Sequence, residues 1–477
     1  MNYIIGRAKE KEQLSDVLQE ESPQLIAVYG RRRVGKTFLI RNYFDQQIVF
    51  EMSGIHDGSL QEQLYNFSHC IDRSFRVKTP KITTWFDAFE QLKKQLKRKN
   101  TQQKQVLFFD EFPWIDTPKS GFLKVFENFW NSWATKQQNF VVIICGSAAA
   151  WMIKKIVNNR GGLHNRVTKR IRLLPFTLQE TEAYLRNRKI NLDQYQIVQI
   201  YMAMGGIPQY LNDIRKGESA TQAIDRVCFS KDGLLTEEFP NLYTSLFDDA
   251  QKHLAIVNAL AKKPAGLNRN EIIKECHFTS GGTVTRLLEE LTESGFITAY
   301  FPFGKNIKDS LYKLTDEYSL FYLKFIRNNK NGGNGTWTRL FTSGSWRSWS
   351  GLAFESICAK HLMPIKKALG IEGVYTEVSS WRKVGAGNEK GAQIDLIIDR
   401  NDRCINLCEM KFSDHPYEIN KAYLDLLQNK QHVFQQVSKT RKVLFNTLIT
   451  TYAPVNANKY IGRIHQIITM DTLFKSG

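Results

Sequence analysis

Four short apolar runs punctuate the first third of the chain: Leu25-Ile26-Ala27-Val28-Tyr29, Ile48-Val49-Phe50, Val106-Leu107-Phe108-Phe109 and Phe140-Val141-Val142-Ile143-Ile144-Cys145. Runs of this length, apolar on both faces and closed by polar or small residues, predict buried strands of a parallel sheet. The stretch between about Leu60 and Leu96 is amphipathic at helical spacing. From Pro175 to about Cys228 the pattern is helical, and Gly205-Gly206-Ile207-Pro208 predicts a kink or helix end there, a hinge towards a small helical lid. Between His253 and Leu314 three short helical patterns precede two strand-like ones, Gly295–Tyr300 and Leu311–Leu314, in the order of a winged helix-turn-helix. After the polar Gly/Asn-rich text from Arg327 to Gly335, a helix is predicted from Trp346 through Cys358 to about Leu369. Strands follow at Gly391–Asp399 and Cys404–Lys411, joined by a turn at Asn401-Asp402. The prediction is an α/β multidomain chain: a parallel-sheet core over 1–174, a helical lid over 175–240, a winged-helix-like module over 241–326, a linker over 327–344 and an α/β domain over 345–477.

Composition sharpens this picture in two places. Lys plus Arg number 66 against 47 Asp plus Glu, a formal charge of +19. That excess suits DNA as partner, because phosphate neutralisation releases counterions, although solubility alone also accounts for it. No run approaches the length of a membrane span, and the N-terminal text lacks the apolar core of a secretory signal, so no membrane association is expected. Seven cysteines form no C-x-x-C pair, and no H-x-x-H set occurs among the histidines. Reduced thiols in a cytoplasmic protein are the expectation. Self-association into a homo-oligomer is left open.

The first chemistry sits between the first apolar run and an apparent helix at Phe38-Leu39-Ile40. Gly30-Arg31-Arg32-Arg33-Val34-Gly35-Lys36-Thr37 fits G-x-x-x-x-G-K-[ST] in its required setting of strand, loop and helix. The glycines allow backbone N–H groups to turn inward around a polyphosphate, and the helix N-terminus adds partial positive charge. Lys36 can then reach the β- and γ-phosphates of ATP, and the Thr37 hydroxyl can ligate Mg²⁺. The third run ends in Asp110-Glu111. A buried strand delivering carboxylates to its C-terminal edge suits Asp110 to Mg²⁺, through water, and Glu111 to activation of the attacking water. The fourth ends in Gly146-Ser147; Ser147 is a candidate γ-phosphate sensor, or part of a small-residue turn. In the basic run Arg160–Arg172, Arg166 is the candidate for an arginine facing the transferred phosphate, against a solvated loop or a DNA-facing surface.

Ile5-Gly6-Arg7 with Glu10, the phosphate loop and its three arginines, Leu107–Glu111, Cys145-Gly146-Ser147 and Gly205–Pro208 together resemble the archaeal-type ATPase family, an AAA+-related, STAND-like branch of P-loop ATPases. The resemblance covers about the first half of the chain. It implies an ATP-driven switch with a helical lid, in which the Gly-Gly-x-Pro element couples nucleotide state to later domains. In the middle module the third helical pattern carries Thr283, Thr285 and Arg286 but also Glu289 and Glu290, so it is a DNA reader or a domain adaptor with equal support.

The second chemistry lies in the tail. Asp395 and Glu409 are 14 residues apart, as two antiparallel strands with a tight turn require, and Glu409 and Lys411 point to one face. Two carboxylates and a lysine converging there can bind Mg²⁺ and activate water for phosphodiester attack. Both acids sit in strongly apolar text, where a lone carboxylate is costly; the alternative is a surface hairpin with scattered charges. With Glu355 as a helical acid, the set resembles the restriction-endonuclease-like, PD-(D/E)xK nuclease fold, from which Ile394 departs by replacing proline before Asp395. Trp381-Arg382-Lys383 and Arg441-Lys442 are candidates for holding a DNA backbone, or equally solvated surface. Two functions follow: an ATP-controlled, Mg²⁺-dependent nuclease acting on DNA, or an ATP-dependent DNA-binding or signalling switch whose tail binds without cutting.

Overall fold

The structure, a computed structural model, describes residues 4–98, 103–157, 161–163, 165–247, 249–279, 281–305, 309–329, 332–383, 385, 391–456, 459 and 462–476. Arg160 and His164 of the basic run, Ser280 before the third helical pattern, and Lys330 and Asn331 of the connector lie outside the described residues. The chain divides into two compact units. The first is essentially residues 1–175, with 245–248 and 293–295; the second holds 176–244, 249–292 and 296–477.

The first unit is built on five parallel strands: β1 Gln24–Tyr29, β2 Ile48–Ser53, β3 Gln105–Asp110, β4 Phe140–Gly146 and β5 Lys169–Arg172. Their order is β2-β3-β4-β1-β5, so the strand ending in Gly146 lies between the one feeding the phosphate loop and the one ending in Asp110. Every residue of β1, β3 and β4 is buried, which is why these strands read as unbroken apolar runs. The amphipathic stretch is two helices, Leu60–Phe75 and Trp85–Arg98. The first begins on a Ser59–Glu62 capping box and ends on Arg76, held at φ 54° in the left-handed region. Their apolar faces meet in an aromatic core of Phe67, Trp85, Phe89, Phe109 and Phe126.

The second unit contains the helices of 178–229, a three-stranded antiparallel sheet and a mixed five-stranded one. Gly205-Gly206 ends the Gln194–Met204 helix and Pro208 opens the next. A Cβ on Gly206 would lie 2.0 Å from the Phe176 carbonyl oxygen, so only glycine fits there. Helices Ala250–Ala261, Arg269–Glu275 and Gly281–Glu293 accompany strands β6 Leu267–Asn268, β7 Ile297–Tyr300 and β8 Leu311–Leu314, in sheet order β6-β8-β7. The C-terminal sheet runs β13-β12-β11-β10-β9, with β9 Thr376–Lys383, β10 Ala392–Arg400, β11 Cys404–Lys411, β12 Val443–Thr450 and β13 Gln466–Thr469. Strands β9, β10 and β11 pair antiparallel, whereas β11, β12 and β13 pair parallel.

Two details differ from the sequence reading. The helix carrying Glu355 is Gly344–Lys360; it breaks at His361, and a separate helix covers Leu362–Ala368. Pro364 cannot donate to the carbonyl four residues back and its ring crowds it, so the helix cannot continue unbroken. His361 uses the break. Its Nδ1 lies 2.8 Å from the Ile357 oxygen, and its Nε2 accepts a 3.0 Å bond from the Leu178 N–H at the start of helix Leu178–Asn187. Trp381, expected beside a DNA backbone, is instead packed edge-on against Phe434 in the core.

Candidate functional site

At the C-terminal edge of the parallel sheet, Tyr29 pairs with Gly146 and Phe109 with Ile144, so the ends of β1, β3 and β4 come level. The loop after β1 turns through Gly30 (φ 147°), Arg33 (φ 70°) and Gly35 (φ 91°) before helix Lys36–Phe44 begins. A Cβ on Gly30 would sit 2.2 Å from the Leu173 oxygen, which makes glycine obligatory there. The Lys36 ammonium is buried and donates to the carbonyls of Gly30 (2.9 Å) and Arg31 (3.0 Å). Lys36 thus spans the loop from its helical end to its strand end. From outside the loop, Arg7 clamps it, donating to the Val34 and Leu174 carbonyls at 3.0 and 2.7 Å. The Arg31 side chain is buried, and Arg32 lies over the Trp114 ring at 5.6 Å.

The acids of β3 take up defined positions against this loop. The Thr37 hydroxyl donates to Asp110 Oδ2 at 2.8 Å. Burial raises the proton affinity of the Asp110 carboxyl, against the lowering effect of the Thr37 bond. Glu111 is held at φ 44°, a strained conformation for a non-glycine residue, as it caps the short helix Phe112–Ile115. Its Oε2 accepts from both the N–H (3.1 Å) and the hydroxyl (2.8 Å) of Ser147. Ser147 therefore grips Glu111 in this structure. Arg166 is exposed on the loop before β5, and among the described residues its guanidinium has no hydrogen-bond or ion-pair partner.

Residues 4–214 match the family model described as "ATPase domain predominantly from Archaea". This region is a P-loop ATPase domain. An uncharacterised protein of Methanocaldococcus jannaschii is 22% identical over 436 residues, 90% of this chain and 92% of its own. Among solved structures, the Walker-type ATPase PABY2304 of Pyrococcus abyssi is 16% identical with a TM-score of 0.47, covering 67% of this chain and 96% of that one. The ORC2 protein of Aeropyrum pernix is 14% identical with a TM-score of 0.42, over 69% of this chain and 96% of that one. Among the described residues no helix is long and apolar enough to cross a membrane.

A second group of ionisable side chains lies in the C-terminal sheet. Leu396 of β10 pairs with Cys408 of β11, and Asp395 and Glu409 each flank that pair. The Met410 N–H donates to Asp395 Oδ2 at 3.4 Å. Glu355, on helix Gly344–Lys360, faces the same acids. Burial, reinforced by the charge of Asp395, pushes the Glu355 carboxyl up to about 8. Glu409 rises to about 7 from the same two causes, in that order. Lys411 is near enough to oppose both rises, and its ammonium sits 5.3 Å from the centre of the Tyr423 ring. Sequence reasoning missed two cations here. Lys430, on helix Lys421–Ser438, forms a 2.7 Å ion pair with Glu409. Lys313, on β8 of the three-stranded sheet, is a half-buried ammonium whose charge acts on Glu355 and Asp395. No local pattern marks either, since each reaches the acids from a distant element. Glu355 and Asp395 also line a cavity of about 530 Å³.

The donor chemistry of both places suits a hard divalent cation. Thr37 and Asp110 offer oxygens 2.8 Å apart, one on a carboxyl whose charge burial disfavours. At the C-terminal site, Glu355 and Glu409, whose proton affinity burial raises, would exchange a proton for a metal ion. Among the described residues, no three His, Cys, Asp or Glu side chains form a shell that could hold a metal ion alone.

Proposed function

We propose that this chain binds and hydrolyses ATP at its phosphate loop and thereby controls a Mg²⁺-dependent, nuclease-like site in its C-terminal sheet that acts on DNA. The observation that carries the first part is the Lys36 ammonium, held inside the loop by two carbonyls that a polyphosphate would replace as its partner. In this reading Lys36 and the loop N–H groups bind the phosphates. Thr37 and Asp110 hold Mg²⁺, and Glu111 orients and deprotonates the attacking water. Ser147 positions Glu111, and Arg166 is the candidate to meet the transferred phosphate.

The second part rests on Glu355, Asp395, Glu409 and Lys411 sharing one electrostatic neighbourhood. Mg²⁺ characteristically takes one or two carboxylates and completes its shell with water and substrate phosphate. Asp395 and Glu409 are the two carboxylates for that role. Lys411 and Lys430 offer charge to the phosphodiester, and Glu355, with its high proton affinity, is the natural proton donor. The net charge of +19 favours a polyanionic partner. The second reading, a DNA-binding switch whose tail does not cut, is favoured where nucleic acid binds but no cleavage follows.

The test measures phosphate release and strand scission on the same preparations. Wild type is expected to release phosphate from ATP and to cut DNA in Mg²⁺. Glu409→Gln should lose cutting and keep ATP turnover. Cutting by that variant at the wild-type rate would remove the nuclease assignment.

A further inference from the structure

The cavity of about 530 Å³ is walled by two different parts of the second unit. From the C-terminal domain come Glu355, Ser356, Ser379 and Asp395; from the three-stranded sheet come Tyr300 and Lys313. The Ser356 and Ser379 hydroxyls are buried and have no hydrogen-bond partner among the described residues. Ser379 is only 8% exposed. Each hydroxyl can donate to an oxygen brought into the cavity that both residues line. The Lys313 ammonium lies 4.8 Å from the centre of the Tyr300 ring. The Tyr300 face fixes this ammonium in place, where its charge offsets those of Glu355 and Asp395 and can also meet a phosphate oxygen brought into the cavity.

The edge of the cavity carries one sign of charge. Lys262, Lys263, Lys324 and Arg327 line it, and all four are exposed. None has an ion-pair partner among the described residues, and Arg327 bonds only the neutral Asn258. A small anion would have no use for four outer cations, whereas a phosphodiester chain carries a charge at every residue. Size decides which kind of chain. At about 530 Å³ the cavity is of the size that takes one small-molecule-sized group. One nucleotide of a single strand can enter with its phosphate; a base-paired segment cannot.

We propose that this cavity is a single-strand pocket: one nucleotide of a single-stranded polynucleotide enters it, its phosphate received by Lys313 and the Ser356 and Ser379 hydroxyls, while the neighbouring phosphates lie along Lys262, Lys263, Lys324 and Arg327. The proposal rests on the nuclease-like reading for what happens next, since Glu355 and Asp395 lie in the same cavity. It goes further in naming the substrate class and in assigning a binding residue, Lys313, to a part of the chain outside the C-terminal sheet.

The test is fluorescence anisotropy of a labelled oligothymidylate, an oligouridylate and a duplex of equal length, in EDTA so that no strand is cut. Wild type should bind the single strands at least tenfold more tightly than the duplex; the thymidylate and uridylate arms, which differ in the sugar and in the thymine methyl, show whether the DNA-type or the RNA-type strand is preferred. Lys313→Ala should weaken single-strand binding about tenfold and flatten the slope of log K against log salt by about 0.7, the loss of one phosphate contact. Lys313→Arg should keep the slope. If Lys313→Ala does not fold, the exposed pair Lys262→Ala/Lys263→Ala carries the test, with an expected flattening of about 1.4. An unchanged slope in these variants, or equal binding of duplex and single strand by wild type, overturns the proposal. Because binding is read without metal, loss of strand cutting would sink the nuclease-like reading and leave the pocket standing. Cutting without any effect of Lys313 on binding would do the reverse.

Discussion

The grip of Ser147 on Glu111 makes a quantitative prediction about how the two act. Glu111→Gln keeps a carbonyl oxygen able to accept both Ser147 bonds, at 3.1 and 2.8 Å, and removes only the charge. ATP should therefore bind within about twofold of wild type, while kcat falls by about 10²–10⁴, the range for losing a general base. Ser147→Ala leaves the backbone N–H bond and deletes the 2.8 Å hydroxyl bond. A hydrogen bond to a charged group contributes about 1.5–3 kcal/mol, so full loss of its orienting effect would slow turnover about 10- to 150-fold. The decisive measurement is steady-state phosphate release by the double variant. If Ser147 works through Glu111, Glu111→Gln/Ser147→Ala should be no slower than Glu111→Gln alone. Multiplying the two defects instead would refute the positioning role and return Ser147 to direct contact with the γ-phosphate.

Lys36→Ala should weaken ATP binding at least 100-fold by equilibrium titration, since two or more charge-assisted contacts to phosphate are lost together. His361, buried and accepting from Leu178, is held neutral, its proton affinity lowered from 6.5 to about 4 by burial. The folded state thus resists a proton that the unfolded chain takes up, so stability present above about pH 6.5 should fall by about 3 kcal/mol as pH drops to about 4. Thermal melts across that range should show the loss, and His361→Gln, which retains an acceptor for Leu178, should reduce it. Lys430→Met removes the partner 2.7 Å from Glu409, a carboxyl already raised to about 7. Without Lys430 the Glu409 carboxyl titrates higher still, so from about pH 7 up to that new value the variant's penalty relative to wild type should grow by about 1.4 kcal/mol per unit and then level off. A penalty independent of pH would place Lys430 outside that electrostatic group.

The phosphate loop was readable because its requirements are local. Gly30, Gly35, Lys36 and Thr37 must follow one another for the backbone to turn at φ 147° and 91° and for one lysine to span the loop. The buried strands announced themselves as apolar runs, and Asp110-Glu111 as acids at the end of one. Spacing alone also brought Asp395, Glu409 and Lys411 to neighbouring positions, because a short turn between two strands fixes their register. What could not be read came from distance along the chain. Lys313 reaches Glu355 and Asp395 from another sheet, and Lys430 reaches Glu409 from a helix that reads as ordinary amphipathic text. Pro364 held the signal for the helix break at His361, and the apolar character of Trp381 held the signal for its place in the core.

The central claim is that nucleotide at the phosphate loop controls cutting at the carboxylates of the C-terminal sheet. A single time course tests it: cleavage of end-labelled single-stranded DNA in Mg²⁺, with and without ATP, by wild type, Lys36→Ala and Glu409→Gln. The account predicts that ATP changes the wild-type cutting rate severalfold, that Lys36→Ala no longer responds to ATP, and that Glu409→Gln does not cut under either condition. Cutting that is absent in wild type, or identical with and without ATP, would contradict it.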